Sequence, residues 1–196
     1  YYTNLEVYPE KHCVHLLNPL SNDLSVMRQT LLFGGLESIA YNRNRKHNDL
    51  MFYEFGNCYY YDADKKTEGE NLKEYSEELH LGLWLCGNSR SGSWGAQDEK
   101  QSVYHLKAYV ENALQRLGIS SDKYTYEQFS NEIYSAAIAI KTRNKNLGTI
   151  AIVSNKLLKE ADIQNTDVFF AELSWDALMK EIKKHKVTFS EISKYP

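Results

Sequence analysis

The chain has 196 residues, of which 42% are hydrophobic and 25% charged, and its formal net charge is −3 at pH 7. This balance is typical of a globular domain with a core of its own, so residues 1–196 are predicted to form one domain. The negative net charge disfavours an autonomous nucleic-acid-binding module, because such modules gain much of their affinity by neutralising phosphates with basic side chains. No apolar run approaches the ~20 residues of a membrane-spanning helix, so no membrane partner is expected.

The start of the chain and its cysteines bear on location. The chain begins Tyr-Tyr-Thr-Asn, without an initiator methionine and without the basic and apolar regions of a signal peptide, so we expect a piece of a longer protein. Its three cysteines, Cys13, Cys58 and Cys86, are odd in number and far apart. This pattern favours free thiols over a disulfide framework and predicts a cytoplasmic protein.

The first predicted elements are a strand and a helix. Val14 to Leu17 is a short apolar run that ends at Asn18-Pro19, where proline fixes φ and forces the preceding residue to be extended. Gly34-Gly35 predicts a break, with the main helix starting nearby. The residues from Leu36 onward follow helical spacing up to a basic end.

Two strands and a long loop come next. Leu50 to Asp62 is rich in Phe and Tyr and predicts a strand, whereas the charged segment Ala63 to Glu78 predicts a solvated loop. His80 to Cys86 continues as a strand. Leucines at period two lie on one face of it: Leu79, Leu81, Leu83 and Leu85. Gly87 to Gln97 is predicted to be a loop.

The second half of the chain predicts three helices and four strands. The helices are Val103–Leu117, capped by Ser102 and ended by Gly118; Lys156–Glu160, capped by Asn155; and Trp175–Lys184, capped by Ser174. The strands are Tyr124–Phe129, Tyr134–Lys141, Thr149–Val153 and Val168–Leu173, with a turn at Lys145–Gly148 and an extended tail at Val187–Pro196. Hairpin-length links favour an α+β fold with a mostly antiparallel sheet flanked by helices.

An ordered set of short motifs lies between residues 14 and 61. The motifs are Asn18-Pro19-Leu20-Ser21, Met27-Arg28, Leu31-Leu32, Asn42 with Arg43 and Arg45, and Tyr53-Glu54-Phe55-Gly56. This order resembles the class II-core-like, non-catalytic domain of the bacterial phenylalanyl-tRNA synthetase beta subunit. Trp94 and the segment 103–107 extend the resemblance, and residues 189–196 resemble the link into that family's C-terminal anticodon-binding domain.

The resemblance implies a class II aminoacyl-tRNA synthetase-like core and a role within a larger enzyme. That enzyme is a heterotetramer of two alpha and two beta subunits, which joins phenylalanine to tRNA(Phe) using ATP and Mg²⁺. The alpha subunit holds its active site, and the domain would dock on that subunit. Four residues are candidates for structural or interface roles: Asn18, Pro19, Arg28 and Glu54.

No catalytic, cofactor-binding or metal-binding residue is assigned in the chain. Adenylate formation depends on positioned cationic groups. The strand 50–59 keeps Glu54 but has Phe52 and Tyr53 where the catalytic members of the family carry an arginine, and residues 170–175 contain neither arginine nor a glycine-rich run. The chain itself is therefore predicted to be catalytically silent, and ATP and Mg²⁺ to belong to the whole enzyme.

Two basic features have competing interpretations. Arg28 follows a turn and precedes a Leu pair, which favours an ordered arginine with a carboxylate or carbonyl partner over a free surface side chain. The cluster Arg43, Arg45, Lys46 and His47 lies at a helix end, where positive charge complements the helix dipole. A solvated helix end is favoured there over contact with tRNA phosphates.

Cysteine and histidine give weaker signals. His12-Cys13-Val14-His15 has no second ligand pair, so a structural zinc site is not expected. Cys58 and Cys86 are predicted to be small buried side chains, because the sequence places no base beside either.

Two other classes of function stay open at this point. One is an RNA-binding module, and the other is a free-standing small-molecule enzyme on a related fold. If the domain is an assembly scaffold, we expect a contiguous apolar patch on its surface.

Overall fold

The computed structural model describes residues 5–21, 25–66, 72–143 and 145–182. The helices are α1 (Leu32–Arg43), α2 (Val103–Arg116), α3 (Asn155–Glu160) and α4 (Trp175–Ile182). The strands are β1 (Leu50–Tyr61), β2 (Tyr75–Cys86), β3 (Asn88–Arg90), β4 (Glu99–Lys100), β5 (Thr125–Phe129), β6 (Tyr134–Thr142), β7 (Lys145–Val153) and β8 (Val168–Ser174). No described helix is long and apolar enough to cross a membrane.

Six of the strands form one sheet in the order β1-β2-β8-β7-β6-β5, and every described pairing in it is antiparallel. β1 and β2 pair over twelve positions, from Leu50 opposite Cys86 to Tyr61 opposite Tyr75. β3 and β4 form a separate small hairpin. The predicted α+β fold with a mostly antiparallel sheet is confirmed.

Each face of the sheet has its own core, because side chains alternate along every strand. On one face, called the α1 face here, α1 and α3 pack over Trp84, Phe170 and Cys58. On the other face, α2 and α4 pack over a second set that includes Leu81, Leu85, Ile150 and Leu173. The leucine stripe predicted for β2 lies on this second face.

The closest approach between α1 and the sheet depends on a glycine. A Cβ atom at Gly35 would lie 2.1 Å from the Trp84 ring, and one at Gly82 would lie 2.4 Å from the same ring. Trp84 is 1% exposed and also packs on Phe170, with ring centroids 5.2 Å apart. The indole is therefore enclosed between α1 and the floor of the sheet.

Two predictions for the N-terminal part are wrong. Val14 to Leu17 is not a strand, since only a single bridge joins His15 to Val26. The Gly34-Gly35 pair does not break the helix but lies inside α1. Gly35 has no Cβ and therefore leaves room for the Trp84 ring. Packing of α1 on the sheet outweighs the poor helix propensity of the two glycines.

Some boundaries also differ. β2 begins at Tyr75, inside the predicted loop, and β3 and β4 lie in or next to the segment predicted to be a loop. β7 begins at Lys145, so the link from β6 comes before the predicted Lys145–Gly148 turn. Ser154, not Asn155, caps α3.

Local signals were more reliable at the helix ends. The Ser102 side chain accepts a hydrogen bond from the His105 amide at the start of α2, and Gly118 follows that helix with a φ of +79°. The Ser174 hydroxyl accepts from the Ala177 amide. The predicted end of the last helix at Lys184 and the tail Val187–Pro196 lie outside the described residues.

Candidate functional site

The candidate site is a groove of about 730 Å³ that is lined by the ends of several strands. Four carboxylate side chains line it: Glu77, Glu78, Glu172 and Asp176. Two lysines, Lys145 and Lys180, and His80 are the basic side chains of its lining. The groove is therefore predominantly acidic.

Glu172 connects three parts of the fold at the base of this groove. Its Oε2 accepts a hydrogen bond from the Thr30 hydroxyl at 2.8 Å, and its Oε1 accepts from the Leu31 amide at 2.8 Å. Leu31 is the residue before α1, so a carboxylate satisfies a free amide at the positive end of that helix. Oε1 also lies 3.1 Å from His80 Nδ1 on β2. Only 12% of the Glu172 side chain is exposed.

His80 lies between two carboxylates and a thiol. Its Nε2 is 3.3 Å from Glu78 Oε2, and the Cys58 thiol lies 3.8 Å from Glu172 Oε1. Burial lowers the pKa of His80, but its contacts with Cys58 and Glu172 outweigh that effect and raise the pKa to about 10. Burial raises the pKa of the Cys58 thiol. At neutral pH the cluster therefore holds a thiol and an imidazolium that faces the Glu172 carboxylate.

This cluster corrects one expectation from the sequence. The prediction that no base lies beside Cys58 is wrong, because His80 lies within reach of it across the β1–β2 pair. In that pair Cys58 lies opposite Glu78, and Glu78 is two residues before His80 in the sequence. Only the strand register brings these residues together, and nothing in the local sequence gives that register.

Arg28 is ordered and paired, as its position predicted. Its Nη1 donates to Glu54 Oε1 at 2.7 Å, and its Nε donates to the Asn57 carbonyl oxygen at 2.9 Å. Gly56 makes room for the guanidinium, since a Cβ there would lie 2.1 Å from Arg28 Nη2. Two of the candidate residues thus contact each other, while Asn18 and Pro19 lie exposed in the segment before them.

The Arg28–Glu54 pair is half-exposed, with side-chain exposures of 40% and 39%. We expect a double-mutant cycle of Arg28→Met and Glu54→Gln to give a coupling energy of about 0.2–1 kcal/mol, because water screens such pairs. Urea unfolding of the four proteins measures it. A coupling energy of several kcal/mol would contradict this expectation, because it would mean that water does not screen the Arg28–Glu54 pair.

The other basic and cysteine motifs contact their own fold. Arg43 Nη2 donates to the Gln164 carbonyl oxygen, and the Arg45 guanidinium lies 3.4 Å from the Tyr41 ring centroid. Cys13 accepts a hydrogen bond from the Gln29 amide. All three cysteines are free, as predicted, and the predicted burial of Cys58 and Cys86 is confirmed; Cys13 is buried as well.

Comparison with known proteins places the chain in a family. A model of the phenylalanyl tRNA synthetase beta chain CLM domain matches residues 1–175. The chain belongs to this family. Phenylalanine–tRNA ligase beta subunits from Bacteroides fragilis and Porphyromonas gingivalis are 53% and 44% identical to it over its whole length. The chain spans 24% of the length of each of these relatives.

Solved structures agree on the fold. The pyrrolysyl-tRNA synthetase from Desulfitobacterium hafniense superposes with a TM-score of 0.63 at 13% sequence identity, covering 88% of this chain and 53% of that one. At this identity the likeness concerns the fold alone, and it confirms the predicted class II synthetase-like core.

Proposed function

We propose that the chain is a non-catalytic assembly domain of a cytoplasmic phenylalanine–tRNA ligase beta subunit. Its partner is the alpha subunit, in a heterotetramer of two alpha and two beta subunits that joins phenylalanine to tRNA(Phe) using ATP and Mg²⁺. In the longer subunit the domain precedes the C-terminal anticodon-binding domain. The family match and the beta-subunit relatives support this assignment.

The acidic groove is the observation that carries the non-catalytic part of the proposal. A site that activates an amino acid with ATP stabilises the triphosphate with cationic side chains. Here four carboxylates face two lysines and the His80 imidazolium, and Glu172 is one of the four. Glu54, which the family motif places on β1, is already engaged by Arg28. Negative charges therefore outnumber positive ones in the lining, and the groove lacks the cationic excess that binding of a triphosphate needs.

The edge of the sheet supports docking. β1 is an edge strand, and three large side chains that project from one of its faces are exposed: Met51 (59%), Tyr53 (74%) and Phe55 (48%). Large apolar side chains that lie exposed together on one face of a soluble protein mark a surface that binds another protein. This apolar row is the surface we assign to the partner, and Asn18 and Pro19, which are also exposed, stay candidate interface residues.

We expect the protein to co-purify with its cognate alpha subunit and Tyr53→Lys to weaken that association at least tenfold, because the substitution places a charge in the apolar row. Trp94→Lys is the control, since Trp94 is fully exposed on the β3–β4 loop. Affinity is measured by pull-down and surface plasmon resonance. Equal binding by both variants would remove the β1 surface from the proposal, and no association of the unchanged protein would refute the assembly role.

The same preparation tests the two alternatives. ATP binding by this chain in calorimetry would support a small-molecule enzyme and contradict a silent domain. Binding to tRNA with a steep salt dependence would support an RNA-binding module. We expect neither.

A further inference from the structure

Three side chains with metal-ligand chemistry meet on neighbouring strands of the α1 face. They are Cys58 on β1, His80 on β2 and Glu172 on β8, and their ligand atoms all lie within 4.8 Å of one another. Cys58 is fully buried and His80 is 8% exposed. Within the described residues, these side chains are close enough together to share one ion.

We propose that Cys58 Sγ, His80 Nδ1 and Glu172 Oε1 form a binding site for Zn²⁺. Zinc bonds of about 2.3 Å to sulfur and about 2.0–2.2 Å to nitrogen and oxygen place tetrahedral ligands about 3.3–3.6 Å apart. The observed separations are 3.1 Å between His80 Nδ1 and Glu172 Oε1, and 3.8 Å between Cys58 Sγ and Glu172 Oε1. The third separation, between Cys58 Sγ and the His80 ring nitrogen, is at most 4.8 Å, so side-chain rotations of Cys58 and His80 bring the three atoms onto one ion.

The surroundings of the three ligands match those of zinc sites. A histidine that binds a metal generally donates its other ring N–H to a carboxylate, and His80 Nε2 faces Glu78 Oε2 at 3.3 Å. A carboxylate ligand is generally held by further hydrogen bonds, and Glu172 is held by Thr30 and Leu31. The other two buried thiols have different neighbours: Cys13 is next to Gln29, and Cys86 is next to the Asn48 carbonyl.

The ligand set selects the ion. Thiolate and imidazole together favour zinc over Mg²⁺ or Ca²⁺, which prefer oxygen ligands. On binding, Cys58 and His80 Nδ1 release their protons to solvent, so that both present lone pairs to the ion. His80 and Glu172 line the acidic groove, which gives the cation a path of entry and leaves the fourth position to water.

Cobalt titration of the purified protein tests the site. We expect one Co²⁺ per chain, a thiolate-to-cobalt charge-transfer band in the near ultraviolet, and displacement of that band by Zn²⁺. The band should be lost in Cys58→Ser and kept in Cys86→Ser, which removes a thiol that is equally buried. Absence of the band in the unchanged protein, or its persistence in Cys58→Ser, would overturn the proposal.

A second pair of variants changes only exposed side chains. Glu78→Gln removes the carboxylate behind His80 and should weaken Zn²⁺ binding 10–100-fold. Glu77→Gln, one residue away and paired with Asn57, should leave the affinity unchanged. Equal affinities of the two variants would contradict ligation by His80.

X-ray absorption at the zinc edge tests the unchanged protein, so it does not depend on the folding of any variant. We expect one sulfur and two or three nitrogen or oxygen neighbours. A first shell without sulfur would overturn the proposal. None of these measurements needs the alpha subunit, so a failure here is distinct from a failure of the assembly role.

Discussion

Gly35→Ala is expected to lower the free energy of unfolding by about 1–2 kcal/mol, although alanine is the better helix former. The added Cβ would lie 2.1 Å from the Trp84 ring, and the indole cannot move away because Gly82 and Phe170 lie against it. Overpacking of this kind costs about 1–3 kcal/mol, which exceeds the gain of roughly 0.5–1 kcal/mol in helix propensity. Urea unfolding followed by circular dichroism measures the difference.

Gly34→Ala is the matched control, because it lies one residue earlier in the same helix and nothing lies within 4 Å of its Cβ position. It should raise the free energy of unfolding by about 0.5–1 kcal/mol, since only the propensity changes. Opposite signs for the two neighbours are the expected result. If both substitutions stabilise the protein, the space between Gly35 and the Trp84 ring is large enough for a Cβ atom, which contradicts the predicted overpacking.

The same pair of glycines shows where sequence reasoning failed. Adjacent glycines in a periodic segment indicate a break, and that local interpretation was wrong because Trp84, about fifty residues later, lies against one of them. By contrast, Ser102, Ser174 and Gly118 were placed correctly as helix ends. A cap depends on groups within a few residues of it, so the sequence contains the whole signal.

The candidate site was predicted only in part. The position of Arg28 after a turn and before a buried pair indicated an ordered arginine with a partner, and Glu54 fulfils that expectation. The meeting of Cys58, His80 and Glu172 was missed, since their sequence separations of 22 and 92 residues are closed only by the sheet register. The sequence contained one signal for this cluster, namely Glu172 in an otherwise apolar strand. A buried acidic side chain is rarely without partners, so its position indicated that other polar groups lie next to it.

Glu172→Ala is expected to have a larger effect than Gly35→Ala. It should lower the free energy of unfolding of the metal-free protein by about 3–5 kcal/mol. The carboxylate accepts from Thr30 and Leu31 and faces the His80 imidazolium, so its removal leaves two donors without an acceptor and leaves the largely buried His80 with Glu78 as its remaining carboxylate partner. Because Leu31 precedes α1, the substitution also removes the group that holds the start of that helix to the sheet.

Glu127→Ala on β5 is the control for this change. Its side chain is 60% exposed and pairs with Lys141, so its loss should cost less than about 1 kcal/mol. Glu172→Gln keeps the shape and an acceptor for the Leu31 amide but removes the charge, and it should fall between the two. Chemical unfolding with a chelator present separates these effects from those of a bound ion. If Glu172→Ala is no more costly than Glu127→Ala, the carboxylate does not organise the α1 face, because the α1–β8 contact then depends on the apolar core alone.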